Sequence, residues 1–176
     1  YENGNWVRKQ KLTASDAAAG DNFGKSVAIS GDYIIIGAWF ENSNLGAAYI
    51  FKRSGDTWSQ TQKLAPGAVD TDFFGNSVSI SGNVAIVGAF FDGINQRGAA
   101  YIYTLSDNTW SETTKLTAAD AVNNDHFGHS VSISGNFAVI GAPKKLSSSG
   151  KTYIFQLSEG TWSQIARLGT PVGTPH

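Results

Sequence analysis

Acidic residues recur in step along this chain of 176 residues: Asp21, Asp72 and Asp125 each stand two positions before a Phe-Gly pair, and Asp16 and Asp120 stand seven before it. Carboxylates repeated in this way could hold a cation between repeats or accept hydrogen bonds from a ligand hydroxyl. Asx-type capping, in which each Asp accepts backbone N–H bonds from its own loop, is the simpler account. His126 and His129 lie three apart, a spacing open to metal binding. They flank Phe127-Gly128 in one copy only, where Asn22 and Lys25 or Phe73 and Asn76 stand in the others, so surface substitution explains them better. Asp72-Phe73-Phe74-Gly75 is similar to a phosphotransfer motif, but no Gly-rich phosphate loop accompanies it. No nucleophile elbow or Cys/His pairing is present. No catalytic residue, metal site or cofactor is therefore assigned.

Binding chemistry is better represented. Each repeat carries a Gly-Ala pair, Gly37-Ala38, Gly88-Ala89 and Gly141-Ala142, and the loops that follow differ. They read Trp39-Phe40-Glu41-Asn42-Ser43-Asn44, Phe90-Phe91-Asp92-Gly93-Ile94-Asn95-Gln96-Arg97 and Pro143-Lys144-Lys145-Leu146-Ser147-Ser148-Ser149. Loops that vary on a constant scaffold are where binding is usually built. Aromatic rings beside carboxylates and amides suit stacking on a sugar ring with hydrogen bonds to its hydroxyls, or anchoring of a protein partner. The candidate ligand-binding residues are Trp39, Phe40, Glu41, Asn42, Phe90, Phe91 and Asp92, with Asp21, Asp72 and Asp125. Against this, any one of the four aromatics could simply pack between repeats.

These loops need a scaffold, and it is visible in the spacing of the aromatics. Trp6, Trp58, Trp110 and Trp162 recur every 52 residues, and Tyr49, Tyr101 and Tyr153 keep the same step. Within a repeat, Val27-Ala28-Ile29-Ser30 and its copies alternate branched apolar residues with small ones, the period of a strand. Gly31-Asp32, Gly82-Asn83 and Gly135-Asn136 follow, each suited to a two-residue hairpin turn. The second strand, Tyr33-Ile34-Ile35-Ile36 and its copies, is apolar throughout and is expected to be covered on both faces. A third strand runs through Ala47-Ala48-Tyr49-Ile50-Phe51, and a fourth begins at Trp58 with polar alternation, as an outer, half-exposed strand would. The recurring tryptophans are assigned to scaffold at that rim. Four strands in a repeat of about 50 residues, covered by like neighbours, predict β-propeller blades. A β-solenoid would need parallel strands, which the Gly-Asx hairpins oppose.

Composition excludes several classes. Thirteen basic against fourteen acidic residues give a net charge of −1, with no basic stripe for nucleic acid or anionic lipid. Cysteine and methionine are absent, which removes disulfides, thiol chemistry and Cys-ligated zinc. No run reaches the ~18 apolar residues of a membrane helix. A start at Tyr1 rather than Met reads as a processed product or an excerpt.

Phe23-Gly24, Gly37-Ala38 and Gly46-Ala47-Ala48-Tyr49, with their copies, closely resemble the FG-GAP repeat, the blade unit of integrin α-subunit propellers and of many bacterial surface proteins. The resemblance covers roughly residues 11–168. It is loosest in the third unit, where Gly150-Lys151-Thr152-Tyr153 replaces the small pair. It implies an extracellular or cell-surface propeller used for adhesion, recognition or scaffolding, with catalysis uncommon. Calcium-binding members carry an Asp-rich loop where this chain has only Ser30-Gly31-Asp32, Ser81-Gly82-Asn83 and Ser134-Gly135-Asn136. Calcium takes six to eight oxygens at ~2.3–2.6 Å, so those sites are not carried over.

The expected organisation is all-β: an array over residues 1–168 with units at about 13–64, 65–116 and 117–168, and a Gly/Thr/Pro tail at 169–176. Residues 1–12, with Trp6 to Leu12, read as the spare outer strand of a preceding or swapped blade. Propellers have typically four to eight blades, so three leave apolar end faces to be covered by additional blades or self-association. The expected function is a non-catalytic extracellular recognition or adhesion module that binds a glycan or protein partner through loops on one face. The alternative is a self-assembling structural subunit of an oligomer, adhesin stalk or filament.

Overall fold

The computed structural model describes residues 4–65, 72–143 and 150–169, apart from the Ile94 side chain. Three antiparallel four-stranded sheets follow one another along the chain, each paired in sequence order. The first blade holds β1 (Ser26–Ser30), β2 (Tyr33–Ala38), β3 (Ala47–Ser54) and β4 (Thr57–Leu64). The second holds β5 (Ser77–Ser81), β6 (Val84–Ala89), β7 (Ala99–Ser106) and β8 (Thr109–Leu116). The third holds β9 (Ser130–Ser134), β10 (Phe137–Ala142), β11 (Lys151–Ser158) and β12 (Thr161–Gly169). The three expected blades are thus present as four-stranded meanders.

The Gly-Asx pairs close the first hairpin of each blade. Ser30 pairs with Tyr33 across Gly31-Asp32, and Gly31, Gly82 and Gly135 take φ of +55°, +58° and +52°, values that glycine reaches at no steric cost. The uniformly apolar second strand splits its side chains between two cores. Ile35 packs with Val78, Ile80 and Tyr101 of the second blade, whereas Ile36 joins Tyr49 and Phe51 on the opposite face. Ile86, Ala100, Ile102 and Leu116 of the second blade likewise pack on Ile133, Ile140 and Tyr153 of the third. Each fourth strand carries a register shift against the third, after Ile50, Ile102 and Ile154, and such bulges increase local twist.

The repeated Phe-Gly and Gly-Ala pairs are the contact between blades. The backbone of Phe74-Gly75 lies directly on Gly37, Gly46 and Ala47 of the blade before it, and Phe127-Gly128 lies on Gly88, Gly98 and Ala99. Isolated parallel bridges join Gly46 to Phe74 and Gly98 to Phe127. Ser26 Oγ–H donates to the Gly75 carbonyl at 2.8 Å and Ser77 Oγ–H to the Gly128 carbonyl at 2.9 Å. A side chain at any of these glycines would hold the two backbones apart.

Residues 6–12 form no strand, yet they occupy an outer strand's place. Gln10 Nε2–H donates to the Trp58 carbonyl at 2.8 Å while its Oε1 accepts from Trp58 N–H at 2.9 Å. Gln62, one repeat on, grips Trp110 in the same way at 2.6 and 2.9 Å. Leu12 packs on the first blade as Leu64 packs on the second. Trp110 is buried, Trp58 and Trp162 are half-buried, and Trp6 is exposed. Gly169 ends β12, and the rest of the expected tail lies outside the described residues, as does the variable loop from Lys144 to Ser149.

Candidate functional site

The loops after β2 and β6 and the segments before β1, β5 and β9 share one end of the array, opposite the Gly-Asx hairpins. Backbone bonds knit them together. Phe40 N–H donates to the Asp21 carbonyl and Phe91 N–H to the Asp72 carbonyl, each at 3.3 Å within its blade. Between blades, Phe73 N–H donates to the Asn44 carbonyl at 3.1 Å and His126 N–H to the Gln96 carbonyl at 3.3 Å. The first loop turns through Glu41–Asn44 with Asn42, Ser43 and Asn44 at positive φ, and the second through Asp92–Gln96.

Aromatic rings from all three blades meet here around a recess of about 540 Å³ lined by Trp39, Phe40, Phe73, Phe90, Phe91, His126, His129 and Pro143. Phe73 is the hub, with ring centroids at 5.4 Å from Trp39, 5.6 Å from Phe40, 5.4 Å from Phe90 and 4.8 Å from Phe91. His126 continues the row, 5.0 Å from Phe91, with its Nε2 3.2 Å from Gln96 Oε1. His129 closes it at 5.3 Å from Phe90. Lys25 Nζ lies 4.5 Å over the Trp39 ring, a cation–π contact, and Trp39 Nε1 is buried without a hydrogen-bond partner among the described residues.

Phe73 holds a backbone conformation unusual for its type. Asn22, Phe73 and His126 occupy the same position in successive blades, with φ of +56°, +52° and +59°. Asn tolerates the left-handed region, whereas a bulky ring there costs about 1–3 kcal/mol. Strain of this kind concentrates at ligand clamps, and here it places a ring at the centre of the recess.

The structure therefore brings together Trp39, Phe40, Phe90 and Phe91 from among the expected residues. It adds Phe73, His126 and His129, whose lack of periodicity was the available signal. The carboxylates are directed elsewhere. Glu41 Oε1 and Asp16 Oδ2 accept from Lys63 Nζ at 2.8 and 2.7 Å. Asp92 is buried, accepting from Tyr101 OH and, at 2.7 Å, from Lys115 Nζ. In the third blade Asp120 accepts from Tyr153 OH at 2.8 Å and Arg167 Nη1 at 2.5 Å. In the second and third blades a carboxylate, Asp92 after β6 or Asp120 before β9, thus joins the recurrent tyrosine to a cation from the fourth strand, whereas in the first blade Asp16 and Glu41 are joined to Lys63. Asp21 and Asp125 accept the N–H of Ala18 and Val122 at 2.7 Å, the loop-capping geometry, and Asp72 is buried. Asn42 is exposed outside the recess.

Burial sets the titration of these groups. It raises the phenols of Tyr49, Tyr101, Tyr103 and Tyr153 well above their usual range, reinforced by Asp16, Asp92, Glu112 and Asp120 respectively. The hydrogen bond from Lys63 holds the Asp16 carboxyl below its ordinary value. Burial opposes the Lys63 ammonium, but its bonds to Asp16 and Glu41 outweigh that and raise it. Among the described residues, no group of three His, Cys, Asp or Glu side chains could hold a metal ion.

A row of four-stranded blades carrying an aromatic recess across their loop end defines a β-propeller-like repeat module. The family model described as the FG-GAP repeat matches residues 6–51, 58–103 and 110–155, each match beginning at a recurring tryptophan, and the chain belongs to this family. The family is generally non-enzymatic. A search of curated proteins found no match.

Proposed function

We propose that this module is a non-catalytic recognition unit, displayed outside the cell or at its surface, whose recess receives an apolar or aromatic side chain of a protein partner. The observation that carries this reading is the aromatic lining contributed by three successive blades, the composition from which interface hot spots are built. A glycan site draws on side chains that hydrogen-bond sugar hydroxyls, and none of the candidate carboxylates lines the recess. Glu41 and Asp92 are instead held by Lys63 and Lys115, which favours an apolar anchor over a sugar.

Titration of isotopically labelled protein with indole, p-cresol and methyl glycosides tests this reading, using the Trp39 indole N–H resonance. Indole and p-cresol are expected to shift it and the glycosides to leave it unmoved. Phe73→Asn, which installs the residue that the first blade uses at this backbone position, is expected to abolish the response while keeping the fold. A response to glycosides alone would replace the protein partner by a glycan, and silence to every probe would remove the recess from the account.

A further inference from the structure

Among the described residues the contact between blades occurs twice, and its two halves occur once more, unpaired, at the ends of the array. At the trailing end, Gly141 and Gly150 stand where Gly37 and Gly46 receive Phe74-Gly75, and among the described residues no backbone of another blade lies against them. A cleft of about 690 Å³ opens there, lined by Gly141, Ala142, Gly150, Lys151 and Leu168 among others. Val139 and Leu168 are 39% and 55% exposed, whereas Ile35 and Leu64, their counterparts in the first blade, are 0% and 2% exposed. At the leading end a Cβ on Gly24 would meet nothing within 4 Å, although the equivalent atom on Gly75 would strike Ala47. Val27 and Ile29 are 66% and 63% exposed where Val78 and Ile80 are 8% and 7% exposed.

We infer that the trailing cleft is a docking site for the Phe23-Gly24 edge of a second copy of this chain, which seats there as Phe74-Gly75 and Phe127-Gly128 seat internally. The occupant follows from complementarity: a cleft framed by glycines admits a close backbone, and the chain carries at its other end the Phe-Gly backbone and Val-x-Ile face that fill the same cleft twice within it. Joining is head to tail, and two copies related by a two-fold axis close at six blades, within the range of propellers.

One segment of the chain competes with this docking. Leu12, Leu64, Leu116 and Leu168 share the repeat step, so Leu168 of an incoming copy is directed to the place that Leu12 holds on the first blade. Residues 6–14, fastened by Gln10 to Trp58, therefore cover the outer half of the leading face and must yield for full contact. Removal of residues 1–12 is expected to tighten association at least about tenfold, an effect of roughly 1.4 kcal/mol.

The test is sedimentation equilibrium of the chain and of two variants at exposed positions, Ile29→Asp and Leu168→Asp, each checked for native circular dichroism. The unaltered chain is expected to reach twice its 18.7 kDa monomer mass, and each variant alone to remain monomeric. The two variants mixed are expected to recover a one-to-one pair, because one intact cleft then meets one intact edge. A chain that stays monomeric with and without residues 1–12 would overturn the inference. So would variants that still self-associate, or a mixture that fails to pair.

Discussion

Replacing Gly88 by Ala probes the idea that the Gly-Ala motif exists to let two blades touch through their backbones. A methyl group at Gly88 would lie 3.0 Å from the Gly128 carbonyl carbon and closer still to its oxygen, and it would also crowd Ser77 Oγ of its own blade. Gly141 is the internal control, with both variants built in the Ile29→Asp background so that the chain is compared as a monomer. Its methyl would crowd Ser130 Oγ in the same way but, among the described residues, would meet no neighbouring blade. The difference between the two variants therefore isolates the contact between blades. To restore ordinary contact the second and third sheets must part by about 1 Å, which forfeits a quarter to a half of the dispersion across the opened surface. Overpacking of this kind costs about 1–3 kcal/mol, and loss of the Ser77–Gly128 hydrogen bond adds about 1 kcal/mol. Gly88→Ala should thus be less stable than Gly141→Ala by roughly 2–4 kcal/mol. Urea unfolding followed by circular dichroism measures it. With a slope of about 2 kcal/mol/M, the midpoints should differ by roughly 1–2 M. Midpoints that coincide would refute the claim that the paired glycines are required for blade contact.

Two further outcomes follow from the hydrogen bonds and the buried phenols. Gln62→Ala should cost about 1–3 kcal/mol and speed hydrogen exchange at the Trp110 amide, since it strands a part-buried donor and acceptor; Gln10→Ala, at an exposed site, should cost less. The raised phenols of Tyr49, Tyr101, Tyr103 and Tyr153 stabilise the fold fully below the ordinary tyrosine pKa of about 10 and lose that contribution as pH rises beyond it, because the unfolded chain ionises first. Phenolate absorbance from these four should therefore appear together with unfolding in an alkaline titration, and smooth ionisation of all tyrosines in the folded protein would contradict their burial.

Local chemistry made the blades legible. Alternation in Val27-Ala28-Ile29-Ser30, the glycine of each Gly-Asx pair and the continuous apolar run of β2 act over a few residues, so strands, hairpins and their repetition can be read without coordinates. The candidate site was legible in part. Trp39, Phe40, Phe90 and Phe91 stand out as aromatics in loops that break the repeat. Phe73 hid inside a motif, and its role depends on a positive φ that becomes meaningful only beside Asn22 and His126.

The sequence by itself determined the period, the strands and the positions of the variable loops, because hydrophobic alternation and turn geometry are properties of neighbouring residues. Only tertiary structure decided what the repeated and variable features do within this chain. Glu41 and Asp92 read as ligand groups until Lys63 and Lys115, displaced along the chain but adjacent in space, are seen to hold them. The Phe-Gly and Gly-Ala pairs read only as a recurring motif until their backbones are seen in contact across successive blades. Packing and charge pairing act through distance in space, and the fold sets those distances by bringing residues about 50 positions apart into register.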